Sequence, residues 1–314
     1  MGTNVPDWGI ASEMIRYEAL QAKTILNAVK APSMPFDWSI NPYRGCQHGC
    51  SFCYARSTHT FLGEAADDTF QRHVFMKTNA AQSLDEQLAK LTLGGRRAVK
   101  GGIAIGTATD PYQQAEGKAR LTRACLEVLS KYKADVSITT RSPLVLRDLD
   151  ILRNMKSVSV NISINTLNKT VWRNLEPSTP SPVQRLETVR QLNEAGVPTS
   201  VFLAPIVPLL TDGGSDLQEV IHAAAEAGAS FVMPSIMRLS TREVKYWFFH
   251  CIGQHYPHLT EKMARLYERS AYVPNDYKEP VMDTVKTLLK QHGLSDWDNR
   301  RRPAEPPVQL AFSF

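Results

Sequence analysis

Apolar and β-branched runs alternate along most of the chain with stretches in which apolar residues recur every three to four positions. The short runs predict strands, and the stretches between them predict helices. The predicted strands are residues 38–43, 102–107, 135–140, 157–164, 199–204 and 230–234. The predicted helices that follow are residues 55–62, 119–132, 144–154, 183–195 and 217–227.

Six strand-then-helix units, with no indication of eight, predict an α/β fold built as a partial (β/α)6 barrel around a parallel sheet. We divide the chain into four parts: an N-terminal helical cap over residues 1–37, the barrel over 38–240, a helical C-terminal extension over 241–298, and a flexible tail over 299–314. The tail is rich in proline and is not expected to belong to the core.

The composition is that of an ordinary globular protein, with 43% hydrophobic and 21% charged residues. Such a chain buries a sizeable core and is not expected to be disordered. Lys and Arg number 36 against 31 Asp and Glu, and this mild excess is compatible with an anionic partner without requiring one. The first residues do not resemble a secretory signal, and the apolar run over 201–210 is interrupted by two prolines, so we expect a cytoplasmic protein with no membrane partner.

Three of the five cysteines lie within eight residues, in the segment NPYRGCQHGCSFCYAR. Cys46, Cys50 and Cys53 follow the first predicted strand with C-x3-C-x2-C spacing. Three thiolates on such a loop can bind three irons of a cubane cluster and leave the fourth iron open. Gly45 and Gly49 would let the backbone turn closely around the cluster.

Two other interpretations of the cysteines stay open. A structural zinc ion could take His48 or His59 as a fourth ligand, although zinc sites usually contain two C-x2-C pairs and this segment has one. The three cysteines could also be unliganded and buried, which is what we expect of Cys125 and Cys251.

Six segments extend the pattern beyond the cysteines: NPYRGCQHGCSFCYAR, GTATDPYQQAE, TTRSPLVLRDLDIL, SINTLN, LEPSTPSPVQRLETVRQLNEAG and APIVPLLTD. From about residue 41 to 236 they resemble the radical S-adenosylmethionine (SAM) superfamily, in the branch of spore photoproduct lyase and its DNA repair photolyase-like relatives. The resemblance implies that Cys46, Cys50 and Cys53 hold a [4Fe-4S] cluster whose open iron is chelated by SAM. It further implies reductive cleavage of SAM to a 5′-deoxyadenosyl radical that abstracts hydrogen from a substrate.

In this fold, chemistry takes place at the carboxyl ends of the strands, so the polar residues just after each strand are candidates for SAM contacts. They are Thr107, Thr109 and Asp110 after the second strand, Thr140 and Arg141 after the third, Ser163 and Asn165 after the fourth, Arg185 on the next helix, and Phe52 and Tyr54 beside the cysteines. Many family members carry Gly-Gly-Glu where this chain has Thr107 to Asp110, so the role of these residues toward the SAM amino group is inferred from position.

The candidates have distinct expected roles. Arg141 would bind a carboxylate or a substrate phosphate, with a structural ion pair as the alternative. Arg185 is a second candidate for the SAM carboxylate. Phe52 would rest on the adenine and Tyr54 would supply backbone contacts, with core packing as the alternative. Ser163 and Asn165 would lie beside the ribose.

The last six residues, QLAFSF, begin at Gln309 and end at Phe314. They resemble the short peptide by which bacterial DNA enzymes dock on the sliding clamp. The alternative is that Leu310, Phe312 and Phe314 pin the terminus to the body of the protein.

The sequence therefore predicts a radical SAM enzyme whose substrate is a nucleic-acid base or lesion. An electron donor of the flavodoxin or ferredoxin type is expected, because the cluster must be reduced. Two alternatives stay open: radical modification of a small molecule or peptide, which includes aminocarboxypropyl transfer, and a non-catalytic metal-binding module that recognises nucleic acid.

Overall fold

The computed structural model describes residues 15–31, 34–92 and 101–294. The strands within these ranges are β1 (Arg16–Leu20), β2 (Leu26–Ala28), β3 (Trp38–Ile40), β4 (Tyr43–Arg44), β5 (His73–Lys77), β6 (Ile103–Ile105), β7 (Asp135–Thr140), β8 (Ser157–Ser163), β9 (Thr199–Ile206) and β10 (Val232–Ile236). The α-helices are α1 (Thr69–Arg72), α2 (Ala80–Thr92), α3 (Glu116–Ala119), α4 (Leu121–Lys131), α5 (Leu149–Leu152), α6 (Lys169–Leu175), α7 (Pro182–Glu194), α8 (Gly214–Glu226), α9 (Arg242–His255), α10 (Pro257–Leu266) and α11 (Asn275–Gln291). Residues Tyr54–Leu62 and Pro143–Asp148 form 3-10 helices.

The main sheet has the strand order β10-β9-β8-β7-β6-β3-β2. Its six strands from β3 to β10 are parallel, and β2 joins the edge antiparallel to β3. These six parallel strands are the six that the hydrophobic pattern predicts, and the sheet is open between β10 and β2. The prediction of an α/β partial barrel is therefore confirmed.

The core lies between the sheet and the helices that cover its outer face. α8 buries Leu217, Val220, Ile221 and Ala224, the spacing that puts all four on one helix face. α7 begins at a capping box in which the Ser181 and Gln184 side chains each bond to the other's backbone N–H. Apolar side chains of the sheet and of both helices therefore share one cluster.

The N-terminal part differs from the predicted helical cap. The described residues of this part form strands β1 and β2, whereas residues 1–14 lie outside the described ranges. β1 pairs with β5, and β5 also pairs with β4, so that a three-stranded sheet lies beside the main one. Strand pairing with distant residues decided this part of the fold, and a local hydrophobic pattern does not report such pairing.

The C-terminal extension is helical over α9, α10 and α11, as expected. α11 buries Val285, Leu288 and Leu289 in the same core as the sheet. No helix in the described part of the chain is both long and apolar enough to cross a membrane. The predicted flexible tail, with the clamp-like peptide, lies outside the described residues.

Candidate functional site

The three clustered cysteines lie on the loop between β4 and the 3-10 helix that begins at Tyr54. Cys46 and Cys50 are buried and Cys53 is half-buried. The Cys46 N–H donates to the Phe70 carbonyl at 3.0 Å, and the Cys53 N–H donates to the Cys50 carbonyl at 3.2 Å. These backbone bonds hold the cysteine loop in one tight conformation.

Two glycines allow this conformation. Gly45 has φ +78°, and a Cβ there would lie 2.6 Å from the His73 carbonyl oxygen. Gly49 has φ +63°, and a Cβ there would lie 2.1 Å from Gln71 Oε1. Both positions combine a left-handed backbone with a close approach, which only glycine accommodates without strain.

The loop after β6 is hydrogen-bonded to the cysteine loop. The Thr109 hydroxyl donates to the Gly45 carbonyl at 2.6 Å, and the Gln113 side chain donates to the same carbonyl at 3.2 Å. The Gln113 amide oxygen accepts the Gln47 N–H at 3.0 Å. The side chain of Thr109 is thus engaged within the protein, and its predicted contact with SAM stays a prediction.

Asp110 is the buried junction of three elements. It accepts the Thr140 hydroxyl at 2.6 Å and the backbone N–H groups of Tyr112 and Arg141 at 2.9 and 2.8 Å. Its Oδ2 atom also lies 3.2 Å from Nδ1 of His48, on the cysteine loop. Burial opposes the charge of Asp110, but His48 and these donors outweigh it and hold its pKa at about 2.

Asn165, just beyond β8, has a different environment. It is 2% exposed, and neither its amide nitrogen nor its amide oxygen has a hydrogen-bond partner among the described residues. Buried amides are nearly always bonded, so an unpartnered pair of amide atoms indicates a missing ligand. Ser163 precedes it at the end of the strand and is also buried. This is the strongest local evidence that a polar small molecule fits the carboxyl end of the sheet.

The two predicted arginines converge on Glu176, which the sequence analysis did not single out. Arg141 Nε donates to Glu176 Oε1 at 2.8 Å, and Arg185 donates to Glu176 Oε2 at 2.5 Å. Arg185 is fully buried and also bonds the carbonyls of Ser163 and Pro180. Arg185 therefore forms a structural ion pair, which the sequence analysis did not consider for it. Arg141 also forms an ion pair with Glu176, and one of its other nitrogens donates to the Ala204 carbonyl at 3.4 Å.

The aromatic candidates border the cysteines. Phe52 is buried, with the Arg141 guanidinium 5.7 Å from the centre of its ring. Tyr54 is 55% exposed, and its hydroxyl donates to the Thr107 carbonyl. The Thr107 hydroxyl accepts from Asn41 at 2.9 Å. These contacts link Tyr54 to Thr107 and place Phe52 beside Arg141, and the roles of these residues toward SAM stay predictions.

The thiols and histidines bear on the choice between a cluster and a zinc ion. His59 Nε2 lies 3.0 Å from the His73 carbonyl, and His48 Nδ1 lies 3.2 Å from Asp110 Oδ2, so each predicted zinc ligand has one ring nitrogen next to a protein oxygen. Among the described residues, no three His, Cys, Asp or Glu side chains are placed to hold a single ion. A cubane cluster distributes its thiolates over three irons, so three cysteines on one loop meet its requirement without a histidine.

Burial raises the pKa of the Cys50 thiol well above its ordinary value, and it also raises the pKa of Cys53. Arg141 and Arg56 act in the opposite direction on these two thiols, so metal binding, which displaces the protons, would be assisted by nearby cations. The sequence analysis did not single out Arg56. Its position three residues after Cys53, in the cysteine segment, was the one signal of a role near the cysteines.

A family model described as the radical SAM superfamily matches residues 40–230, more than half of the chain. An uncharacterised protein of Mycobacterium tuberculosis is 33% identical over 95% of this chain and 86% of its own length. An uncharacterised protein of Methanocaldococcus jannaschii is 29% identical over 85% of this chain and 92% of its own length.

Among solved structures, a spore photoproduct lyase variant with bound AdoMet and dinucleoside spore photoproduct has a TM-score of 0.64 and 19% sequence identity. The alignment covers 89% of this chain and 79% of that one. At this identity the likeness establishes a shared fold.

Proposed function

The chain belongs to the radical SAM superfamily and is a radical SAM enzyme, and we propose that it acts on a nucleic-acid base or lesion. Family membership implies a [4Fe-4S] cluster and SAM as cofactors. We assign the cluster to Cys46, Cys50 and Cys53, because they lie on one loop whose backbone is fixed by its own bonds and by Phe70.

When bound, the reduced cluster supplies the electron that cleaves a C–S bond of SAM and so yields the 5′-deoxyadenosyl radical. The residues of this chain bind and orient SAM and exclude water from it. Asp110 and Thr109 hold the cysteine loop against the sheet. Asn165 offers an amide donor and acceptor to SAM, and Arg141, next to Phe52, offers a guanidinium to its carboxylate.

The unpartnered, buried Asn165 amide is the observation that carries the assignment of a SAM site. The cost of burying such a group unbonded is about 1–3 kcal/mol, and a ligand that bonds to it recovers that cost. Asn165 lies just beyond the carboxyl end of a parallel strand, and open α/β sheets bind their ligands at these strand ends.

The proposed substrate class is supported by the surface beyond β10. Residues 238–272 contain six Lys or Arg and three Asp or Glu, so this stretch supplies a net charge of +3 out of +5 for the whole chain. Tyr246 and Tyr272 are 77% and 57% exposed there. Arg238 lies 5.1 Å from the centre of the Tyr272 ring. Burial raises the pKa of Tyr54, beside the cysteines, and the positive charge of Arg238 acts in the opposite direction. Cations for phosphates and aromatic faces for bases are the combination that single-stranded nucleic acid requires.

The test is the salt dependence of binding to a fluorescein-labelled oligothymidylate and to an ultraviolet-irradiated sample of it. Arg238→Gln should lower the slope of log Kd against log salt by about 0.7, the contribution of one phosphate contact on a single strand. The control is Arg190→Gln, a neutralisation on the exposed face of α7, and it should leave the slope unchanged. Binding by the wild type that does not depend on salt, or no binding at all, would contradict a nucleic-acid substrate.

The expected partners and setting remain part of the proposal. A low-potential donor of the flavodoxin or ferredoxin type would reduce the cluster in the cytoplasm. Residues 309–314 would dock on the sliding clamp, and removing them should abolish clamp binding measured by surface plasmon resonance. Unchanged clamp binding by the shortened chain would end that part of the proposal.

A further inference from the structure

Arg56 is a fully buried cation with no carboxylate partner. Its side chain has 0% exposure, and among the described residues no carboxylate oxygen lies within 4.0 Å of its guanidinium nitrogens. A buried charge of this kind is costly unless an opposite charge compensates it.

The contacts of Arg56 direct it toward the cysteine loop. One terminal nitrogen donates to the Cys50 carbonyl at 3.2 Å, and the other donates to the Asp67 carbonyl. The guanidinium lies 4.5 Å from the centre of the Trp247 ring and 5.3 Å from that of Phe70. Aromatic faces and carbonyls fix its position, but neither carries the full negative charge that would neutralise it.

Arg141 is the useful contrast, because it also acts on the Cys50 thiol. Its guanidinium has a carboxylate at 2.8 Å, that of Glu176, which it shares with Arg185. Among the described residues Arg56 has no carboxylate within 4.0 Å, and Asp67 acts on it more weakly than the cysteines do, so most of its field toward the cysteines is uncompensated. Burial lowers the pKa of Arg56, and the groups that act in the opposite direction are, in order, Cys53, Cys251, Cys50 and the Asp67 carboxylate. Two of these, Cys53 and Cys50, are proposed cluster ligands.

We infer that Arg56 is a positioning residue for the cluster, and that its buried charge raises the reduction potential by stabilising the added electron. The inference rests on the proposed assignment of the cluster to Cys46, Cys50 and Cys53. The cluster takes one electron from an external low-potential donor, and no bond to Arg56 forms or breaks. Hydrogen bonding, nearby charge and burial are the means by which proteins set such potentials.

The test is a redox titration of anaerobically reconstituted protein, followed by the electron paramagnetic resonance signal of the reduced cluster. Arg56→Met keeps most of the side-chain volume and removes the charge. At a fixed solution potential its ratio of reduced to oxidised cluster should fall about tenfold, which is a 59 mV decrease in midpoint for one electron. The midpoint potential of Arg56→Lys should stay closer to that of the wild type. Arg190→Met, which removes an exposed arginine on α7, should have the wild-type midpoint potential.

An unchanged midpoint in Arg56→Met, with wild-type iron and sulfide content, would overturn the inference while leaving the proposed cluster intact. Absence of iron and sulfide from the wild type would instead contradict the proposed function itself. If Arg56→Met does not fold, Arg56→Gln keeps an amide donor for the Cys50 carbonyl and tests the same charge. A second readout separates a merely structural role: the loss in Tm caused by the substitution should be larger in cluster-loaded protein than in cluster-free protein, and equal losses would oppose the inference.

Discussion

Nδ1 of His48 lies 3.2 Å from Oδ2 of Asp110, and both side chains are buried. His48 stands between two of the clustered cysteines, and Asp110 stands just beyond the second parallel strand. Burial by itself would lower the pKa of His48, but Asp110 and then Cys46 outweigh it and raise that pKa to about 10. The contact is therefore an ion pair that fixes the cysteine loop to the carboxyl end of the sheet.

Asp110→Asn should loosen this attachment. The substitution leaves His48 buried without its counter-charge, and breaking a buried pair costs about 3–5 kcal/mol. We expect a lower free energy of unfolding in urea and less iron incorporated per chain on reconstitution. Asp150→Asn removes a carboxylate that is 61% exposed and pairs with Arg123, and it should change iron content little. Full iron loading of Asp110→Asn would show that the cysteine loop does not need the pair.

Gly45→Ala should be far more damaging than Gly63→Ala. Both glycines have φ +78°, but an added Cβ meets the His73 carbonyl at 2.6 Å in the first case and nothing within 4 Å in the second. Gly63→Ala should cost about 1 kcal/mol from backbone strain alone. Gly45→Ala should cost about 1–3 kcal/mol more, from the clash. Thermal unfolding and iron content measure the difference, and equal effects of the two substitutions would contradict the argument.

Asn165→Ala should weaken SAM binding about tenfold or more while leaving the stability of the cluster-free protein nearly unchanged. The Asn165 amide has no hydrogen bond to the described part of the chain that the substitution would remove, whereas SAM would lose its contacts with it. Asn161→Ala is the matched control, because the Asn161 amide donates to Ser137 Oγ at 2.9 Å and to the Ile138 carbonyl at 3.2 Å. Asn161→Ala should lower the free energy of unfolding and leave the affinity for SAM unchanged. Isothermal titration of SAM into reconstituted protein distinguishes the two, and the reverse pattern would refute the role of Asn165.

Lys77 predicts a pH dependence. Burial first, and Arg44 second, lower the pKa of Lys77 from 10.5 to about 8. Above pH 8 the folded protein releases this proton while the unfolded chain still holds it. The free energy of unfolding therefore rises with pH between about 8 and 10.5, and the same gain is lost as the pH falls back to 8. The difference in unfolding free energy between wild type and Lys77→Met should therefore grow in favour of the wild type by roughly 1 kcal/mol per pH unit from pH 8 to 10. Urea unfolding of the cluster-free proteins measures it, and a flat difference would show that Lys77 titrates normally.

The six parallel strands were predictable because each is a short apolar run followed by a helix with its own period and stop. The predicted strand over residues 135–140 coincides with β7. β5 was not predicted, because HVFMK is buried at every position and shows no alternation. β1 obtains its hydrogen bonds from β5, far along the chain, and no local pattern reports that.

The sequence singles out residues that follow a strand end or form a motif, as Asn165 and the cysteines do, and their roles toward SAM and the cluster stay predictions. The partners that determine what each side chain does were not predictable. Glu176, at the C-terminal end of α6, pairs with Arg141 after β7 and with Arg185 on α7, and this meeting of three separate elements is not visible in a local pattern. The sequence shows that Arg56 belongs to the cysteine segment. Its burial between Phe70 and Trp247 could not be predicted, because Trp247 lies on α9, almost two hundred residues later in the sequence.

The most direct test of the central claim is SAM cleavage by anaerobically reconstituted, dithionite-reduced protein, with Cys50→Ala as the control and mass spectrometry of the nucleoside product. The account predicts 5′-deoxyadenosine from the wild type and none from Cys50→Ala. Methylthioadenosine would instead indicate aminocarboxypropyl chemistry. A wild-type protein that binds zinc without sulfide and forms neither product would contradict the account.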